Sequence, residues 1–254
     1  MISIQVGYRL TALMQAKHEI HAAQALSIAR KLPDNCGMKP RTLLSDRLSF
    51  CRTVPGTWLA SYDALINRLR KSGATNGAPG IGDVVPDFVL PDGTGTLRRL
   101  SDLVSGGPVV LSFNRGSWCP YCQEEIGAWA EHLADLAACG GRLIIVTPEA
   151  GGRMAALGDL AGAGSVVLCD IDLGVALLMG LAFPVGPAVL QEFRTDDLDL
   201  SVINGTANGF LPVPATFVLD QNRCVHFAFV DPDFAQRAEP CDVLVAVAAL
   251  TSGV

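Results

Sequence analysis

Val109-Val110-Leu111-Ser112-Phe113-Asn114-Arg115-Gly116-Ser117-Trp118-Cys119-Pro120-Tyr121-Cys122 is the stretch on which the fold turns. Its first five residues form an apolar run of strand length, a glycine-containing turn follows, and Pro120 opens a helical pattern that continues to about Ala138. Proline suits the first helical position because the N–H it lacks has no partner there, which puts Cys119 at the N-cap. The free amides and the positive end of the helix dipole then favour thiolate over thiol, so the Cys119 pKa is expected to fall below the ordinary value of about 8.5. Cys122 comes nearly one turn later on the same side, within disulfide reach and more covered. That asymmetry makes Cys119 the attacking thiol and Cys122 the one that resolves its mixed disulfide or sulfenic acid. Two plainer readings stand beside this one. The pair could be half a zinc site, although His132 is the only histidine close to it and no second cysteine pair is present, or it could be an inert buried pair.

Outward from this stretch, strands alternate with helical patterns. Asp87 to Leu90 reads as a short strand closed by Pro91-Asp92-Gly93, with Thr96 to Leu100 as its hairpin partner. Leu143 to Val146 and Val166 to Cys169 repeat the buried apolar run on either side of a helix from Arg153 to Leu160. Ala215 to Leu219 and Val225 to Phe229 flank the turn-forming Asp220-Gln221-Asn222-Arg223, and a last helix spans Asp242 to Leu250. This order describes an α/β fold, a sheet with both faces covered by helices.

The 254 residues are half apolar and carry a net charge of −6, which excludes disorder and argues against a protein devoted to nucleic acid or anionic membrane. The sum hides an asymmetry: residues 1 to 82 hold eleven Lys and Arg against four acids, and residues 83 to 254 hold eight against twenty-one. The change coincides with the linker composition of Lys71 to Gly82. A helical, basic N-terminal extension over residues 1–78 and an α/β domain over 79–254 are therefore expected. In the extension Trp58, Tyr62, Leu65, Ile66 and Leu69 fall on one helical face after the Pro55-Gly56-Thr57 break, and Leu10, Leu13, Met14 and Ile20 give a weaker pattern. Docking of this basic arm on the acidic domain is preferred to nucleic-acid binding. Eight scattered cysteines fit a reducing, cytoplasmic compartment better than a secreted disulfide scaffold, and no signal peptide is seen. Leu173 to Leu190 is uncharged, but its glycines and prolines favour a short buried helix and a loop over a membrane span. Gly80-Ile81-Gly82 and Gly162-Ala163-Gly164 lack the third glycine of a nucleotide fingerprint.

Gly116-Ser117-Trp118-Cys119-Pro120-Tyr121-Cys122 resembles the active-site turn of thioredoxin-fold proteins. With Gly82-Asp83-Val84-Val85-Pro86-Asp87-Phe88 and Val213-Pro214-Ala215-Thr216-Phe217-Val218-Leu219-Asp220, residues 80 to 250 resemble the peroxiredoxin-like branch, that of alkyl hydroperoxide reductase and thiol-specific antioxidant. The resemblance implies a thioredoxin-like sandwich with a central mixed β-sheet and flanking helices, and Pro214 as a cis-proline facing the cysteines. Without the family Pro214 is simply a proline at a strand start. Peroxiredoxins carry a proline seven residues, and a Thr or Ser three residues, before the attacking cysteine; here those positions are Ser112 and Gly116. The family's late arginine falls near Pro214 and is also missing. Arg115 is the candidate substitute for the charge and Ser117 for the hydroxyl, against the plainer reading of both as structural residues.

Trp118 either shields the sulfur and lines the site or is ordinary core. Glu124 and Glu125 are read as acids of the first helical turn, favoured by the dipole, rather than as a proton relay. His18 and His21 are read as surface residues, and the other six cysteines as incidental thiols. The function expected is a thiol-dependent reductase of hydrogen peroxide or organic hydroperoxides, recycled by thioredoxin or a similar dithiol, with no metal or other cofactor; a homodimer is compatible with it. A disulfide oxidoreductase without peroxidase activity and a redox-sensing binding module are the alternatives.

Overall fold

The computed structural model describes residues 42–51 and 59–251. The pattern from Leu10 to Ile20, the Pro55-Gly56-Thr57 break, Trp58, His18, His21 and Cys36 lie outside the described residues. Two helices come first, α1 (Leu44–Cys51) and α2 (Leu59–Ser72), then a hairpin of β1 (Val89–Pro91) and β2 (Leu97–Arg99), and α3 (Leu100–Val104). Next are β3 (Val109–Phe113), α4 (Pro120–Ala138), β4 (Arg142–Thr147), α5 (Ala155–Ala161), β5 (Val166–Cys169) and α6 (Gly174–Leu178). The rest is β6 (Ala182–Pro184), α7 (Pro187–Thr195), α8 (Leu200–Ile203), β7 (Phe210–Pro212), β8 (Ala215–Leu219), β9 (Val225–Val230) and α9 (Pro240–Thr251).

Five strands form a mixed sheet in the order β5-β4-β3-β8-β9. β3 lies in the middle, parallel to β4 and antiparallel to β8, and all five of its residues are buried. Its side chains alternate between the two faces, as a strand's must. Val109, Leu111 and Phe113 join Ile144, Val146, Phe217 and Leu219 in one core cluster, while Val110 joins Leu143, Ile145 and Val218 in another with Ile126, Trp129 and Leu136 of α4 and Val243, Leu244 and Val247 of α9. Ser112 therefore points to the α4 side, and this position matters at the site. The α/β sandwich with a central mixed sheet and flanking helices is thus present, with β3, α4, β5 and β8 on the boundaries read from the sequence.

The uncharged stretch from Leu173 to Leu190 is divided among α6, β6 and α7 rather than a helix and a loop. Pro187 stands at the start of α7, where it initiates the helix it was expected to break. No helix among the described residues is long and apolar enough to cross a membrane.

Contacts run across the 78/79 position. Leu65, Ile66 and Leu69 of α2 and Leu44 and Leu48 of α1 are buried in a third cluster with Phe183, Val185, Phe193 and Phe234. A Cβ on Gly180 would come within 2.6 Å of the Gly77 backbone, so the linker lies flat against the loop after α6. Polar bonds fasten both helices. The Glu239 carboxylate accepts from the Leu44 and Ser45 amides at the start of α1 (2.9 and 2.8 Å), and Arg68 donates to the carbonyls of Pro184 and Val185 (2.7 and 2.8 Å).

Candidate active site

Cys119 is the N-cap of α4 and Pro120 its first residue, as the sequence implies; the Cys122 and Gln123 amides donate to the Cys119 carbonyl at 3.0 Å. The Cys119 sulfur, however, makes no capping bond to an α4 amide. Its partner is Arg115, whose Nη2 donates to Sγ at 2.9 Å. Both residues are buried, with Cys119 at 0% and Arg115 at 1% exposure. The source of the low thiol pKa is thereby corrected. Burial alone would raise it, but the Cys122 thiol donating to the sulfur and the charges of Arg115 and Arg237 outweigh burial and hold Cys119 well below the ordinary thiol range. Cys122 goes the opposite way, pushed well up by burial and by the hydrogen bond and charge of Cys119. The two sulfurs are thus set apart, Cys119 toward thiolate and Cys122 toward thiol.

Arg237 is the residue that sequence reasoning misses. It lies in the loop before α9, 3.6 Å from the Cys122 sulfur, and its Nε donates to Glu125 Oε2 at 2.7 Å. Glu125 lies in the second turn of α4, not the first, and is buried; its other oxygen accepts from Ser112 Oγ at 2.8 Å. Burial pushes the Glu125 carboxyl above its usual range, against the pull of Arg237 and Ser112. Asn114 Nδ2 donates to Ser112 Oγ at 2.8 Å, which completes a polar layer beneath the cysteines. The only early signal of this layer is a serine in an otherwise apolar buried strand, which needs a polar partner from the helix packed on that face.

The remaining candidates divide. Trp118 lies at the site, its ring 5.1 Å from the Arg115 guanidinium and 5.6 Å from Phe193. Ser117 is turned away: its amide and hydroxyl both donate to Glu149, at 2.8 and 2.7 Å. Gly116 has φ of +141°, and a Cβ there would lie 2.6 Å from the Trp118 indole nitrogen and 2.9 Å from the Glu149 carboxyl carbon. The missing Thr or Ser is therefore excluded by the turn itself.

Pro214 is buried just before Ala215, which pairs with Phe113 at the end of β3, so it borders the turn carrying the cysteines. The expected cis bond is absent, since no cis peptide occurs among the described residues. The Val213 amide donates to the Leu181 carbonyl at 2.7 Å, and the bond into Pro214 is the usual trans isomer.

Among the other ligand-type side chains, His132 pairs with Asp135 (3.2 Å), ten residues and about 15 Å along α4 from Cys122. Asp220, Cys224 and His226 come within 4.8 Å of one another on the β8–β9 hairpin. Asp220 is already engaged there by the Asn222 and Cys224 amides and by His226, so the group closes on itself.

Residues 81–228 match the model of the AhpC/TSA family. A Mycobacterium tuberculosis protein named "Putative peroxiredoxin" is 28% identical over 173 residues, covering 68% of this chain and 98% of its own. Among solved structures, the peroxidoxin BcpB of Mycobacterium tuberculosis superposes with a TM-score of 0.51 at 25% identity, over 66% of this chain and 96% of that one. A peroxiredoxin 6 variant of Arenicola marina gives 0.51 at 16% identity, over 66% and 71%, a likeness of fold.

Proposed function

The chain belongs to the AhpC/TSA family, and from that premise we propose the residues through which it works. It is a thioredoxin-fold, peroxiredoxin-like oxidoreductase of the thiol peroxidase type. We assign the reaction to Cys119 and Cys122, with residues 79–254 as the catalytic domain. The observation that carries the assignment is the Arg115 guanidinium 2.9 Å from the buried Cys119 sulfur, a neighbour that favours thiolate at Cys119 while Cys122 is pushed toward thiol.

The Cys119 thiolate attacks one oxygen of a hydroperoxide, so an S–O bond forms as the O–O bond breaks. The departing oxygen takes a proton and leaves as water or alcohol. Sulfur loses two electrons and the peroxide gains them, which leaves Cys119 as a sulfenic acid. Cys122 then forms an S–S bond to Cys119 and expels the sulfenic oxygen as water. A dithiol donor of thioredoxin type returns both cysteines to thiols and is itself oxidised to a disulfide.

Arg115 takes the part of the missing arginine in this scheme. Its Nε and Nη1 have no hydrogen-bond partner, so two buried donors remain for the peroxide oxygens beside the sulfur. Ser117, committed to Glu149, takes no part.

Stopped-flow mixing of the reduced protein with peroxide tests the reading. Oxidation of Cys119 much faster than that of free cysteine is expected, and Cys119→Ser should abolish it. Oxidation no faster than free cysteine, with rapid exchange against a model disulfide, would replace the peroxidase by a disulfide oxidoreductase.

A further inference from the structure

Arg115 is a buried cation whose Nη2 donates to the Cys119 sulfur at 2.9 Å and whose side chain also meets Tyr62, while Nε and Nη1 make no hydrogen bond. A guanidinium so placed must be held by something else. Its carbon lies 3.9 Å from the Phe234 ring centroid, 5.1 Å from that of Trp118 and 5.7 Å from that of Tyr62, so aromatic faces surround it. The rings brace one another. Tyr62 meets Phe234 edge-on at 4.7 Å and Phe193 at 6.2 Å, and Phe193 meets Trp118 at 5.6 Å. Tyr62 is thus the member that joins the Phe234 side of the cage to the Phe193–Trp118 side.

Tyr62 comes from α2, ahead of the family-matched segment, and α2 is fixed for the task. Leu65, Ile66 and Leu69 are buried, Ser61 Oγ donates to Glu192 at 2.5 Å, and Arg68 holds two carbonyls at the end of β6. Arg70 lies 3.7 Å from both Asp231 and Asp233, in the segment that leads to Phe234.

We infer that Tyr62 is a positioning residue for the thiol chemistry: its ring completes the aromatic cage that keeps the Arg115 guanidinium on the Cys119 sulfur. The α2 segment then supplies a wall of the active site. The tyrosine hydroxyl is pushed up by burial and stays protonated, so the ring faces the cation as a neutral π surface. The inference rests on the assignment of Cys119 as the reactive thiol but not on its oxidant.

The test is the pH profile of Cys119 alkylation by iodoacetamide in the full-length reduced chain, with Cys122→Ser present in every protein and the Cys119 peptide followed by mass spectrometry, apart from the other thiols. Tyr62→Phe keeps the ring and removes only the hydroxyl, so its profile should stay nearer the parent's than that of Tyr62→Leu. Tyr62→Leu keeps apolar volume without a π face, and Tyr62→Ala removes both. Each is expected to move the profile toward ordinary thiols, so that on its acid limb the rate falls by roughly tenfold, the change in thiolate fraction there for one pKa unit. A Tyr62→Leu protein with circular dichroism and alkylation profile equal to the parent overturns the inference, even if Tyr62→Ala fails to fold. A parent with alkylation shift but no peroxide reaction would instead overturn the peroxidase reading and leave Tyr62 in place.

Discussion

The Arg115 guanidinium stands 2.9 Å from the Cys119 sulfur, while the α4 amides make no bond to it. A side chain, then, and not the helix terminus, is the nearest source of the field that ionises Cys119. Replacing Arg115 with Met keeps the length and removes the charge, so the Cys119 pKa should rise toward the ordinary value of about 8.5 and alkylation at neutral pH should slow by tenfold or more. In the parent the rate should stay flat through neutral pH and fall only in acid. Linkage gives the sign for stability. A depressed folded-state pKa stabilises the reduced protein above the unfolded thiol's pKa, and the contribution is lost as pH falls through the folded value. Unfolding of the parent against Cys119→Ser across that range measures it.

Arg237 and Glu125 form a buried ion pair at 2.7 Å, each side chain 2% exposed. Removing one partner strands the other charge, so Arg237→Met should cost about 3–5 kcal/mol of stability. Adding Glu125→Gln should recover a large part, because the stranded charge is then gone. Urea midpoints of the two single variants and the double variant measure this, and additive losses would show that the pair is not coupled.

How much of this was legible beforehand follows from distance along the chain. The strand, turn and helix around Cys119 are local, and Val109–Phe113, Pro120–Ala138 and the N-cap position of Cys119 are all readable from short-range rules. Arg237 and Tyr62 reach the site from 115 residues after Cys122 and from a helix ahead of the domain, and no periodicity links them to it. β6 and β7 have three residues each, two of them ending in proline, so they are too short to show alternation and pair only because the fold brings them together. Ser117 misled because adjacency in sequence was read as adjacency in space; Glu149, 32 residues later, takes both its hydroxyl and its amide.

Restoring the family's hydroxyl should fail. Gly116→Thr would place a β-branched residue at φ of +141°, with its Cβ inside contact distance of Trp118 and Glu149. Backbone strain of this kind costs about 1–3 kcal/mol, and displacement of Trp118 would disturb the cage around Arg115. A lower urea midpoint and slower Cys119 oxidation are expected. A faster peroxide reaction in this variant would show that the turn has room for the threonine.

Resolution should depend on Cys122 and on no other described thiol. Cys51 packs at the edge of the cluster that holds Cys119, but burial, Glu124 and Cys119 itself push its thiol up, which lowers the thiolate available to attack. Cys169 is also pushed up by burial and donates to the Glu149 carbonyl at 3.1 Å. Cys122 is pushed up by burial and then by the Cys119 thiolate; the second cause disappears when Cys119 becomes a neutral sulfenic acid, and Arg237 at 3.6 Å then favours ionisation against burial alone. The first step therefore switches on the second. Cys122→Ser should consume one equivalent of peroxide at near the parent rate, accumulate sulfenic acid that dimedone traps, and stop; continued turnover with a thioredoxin-type donor would assign resolution to another thiol.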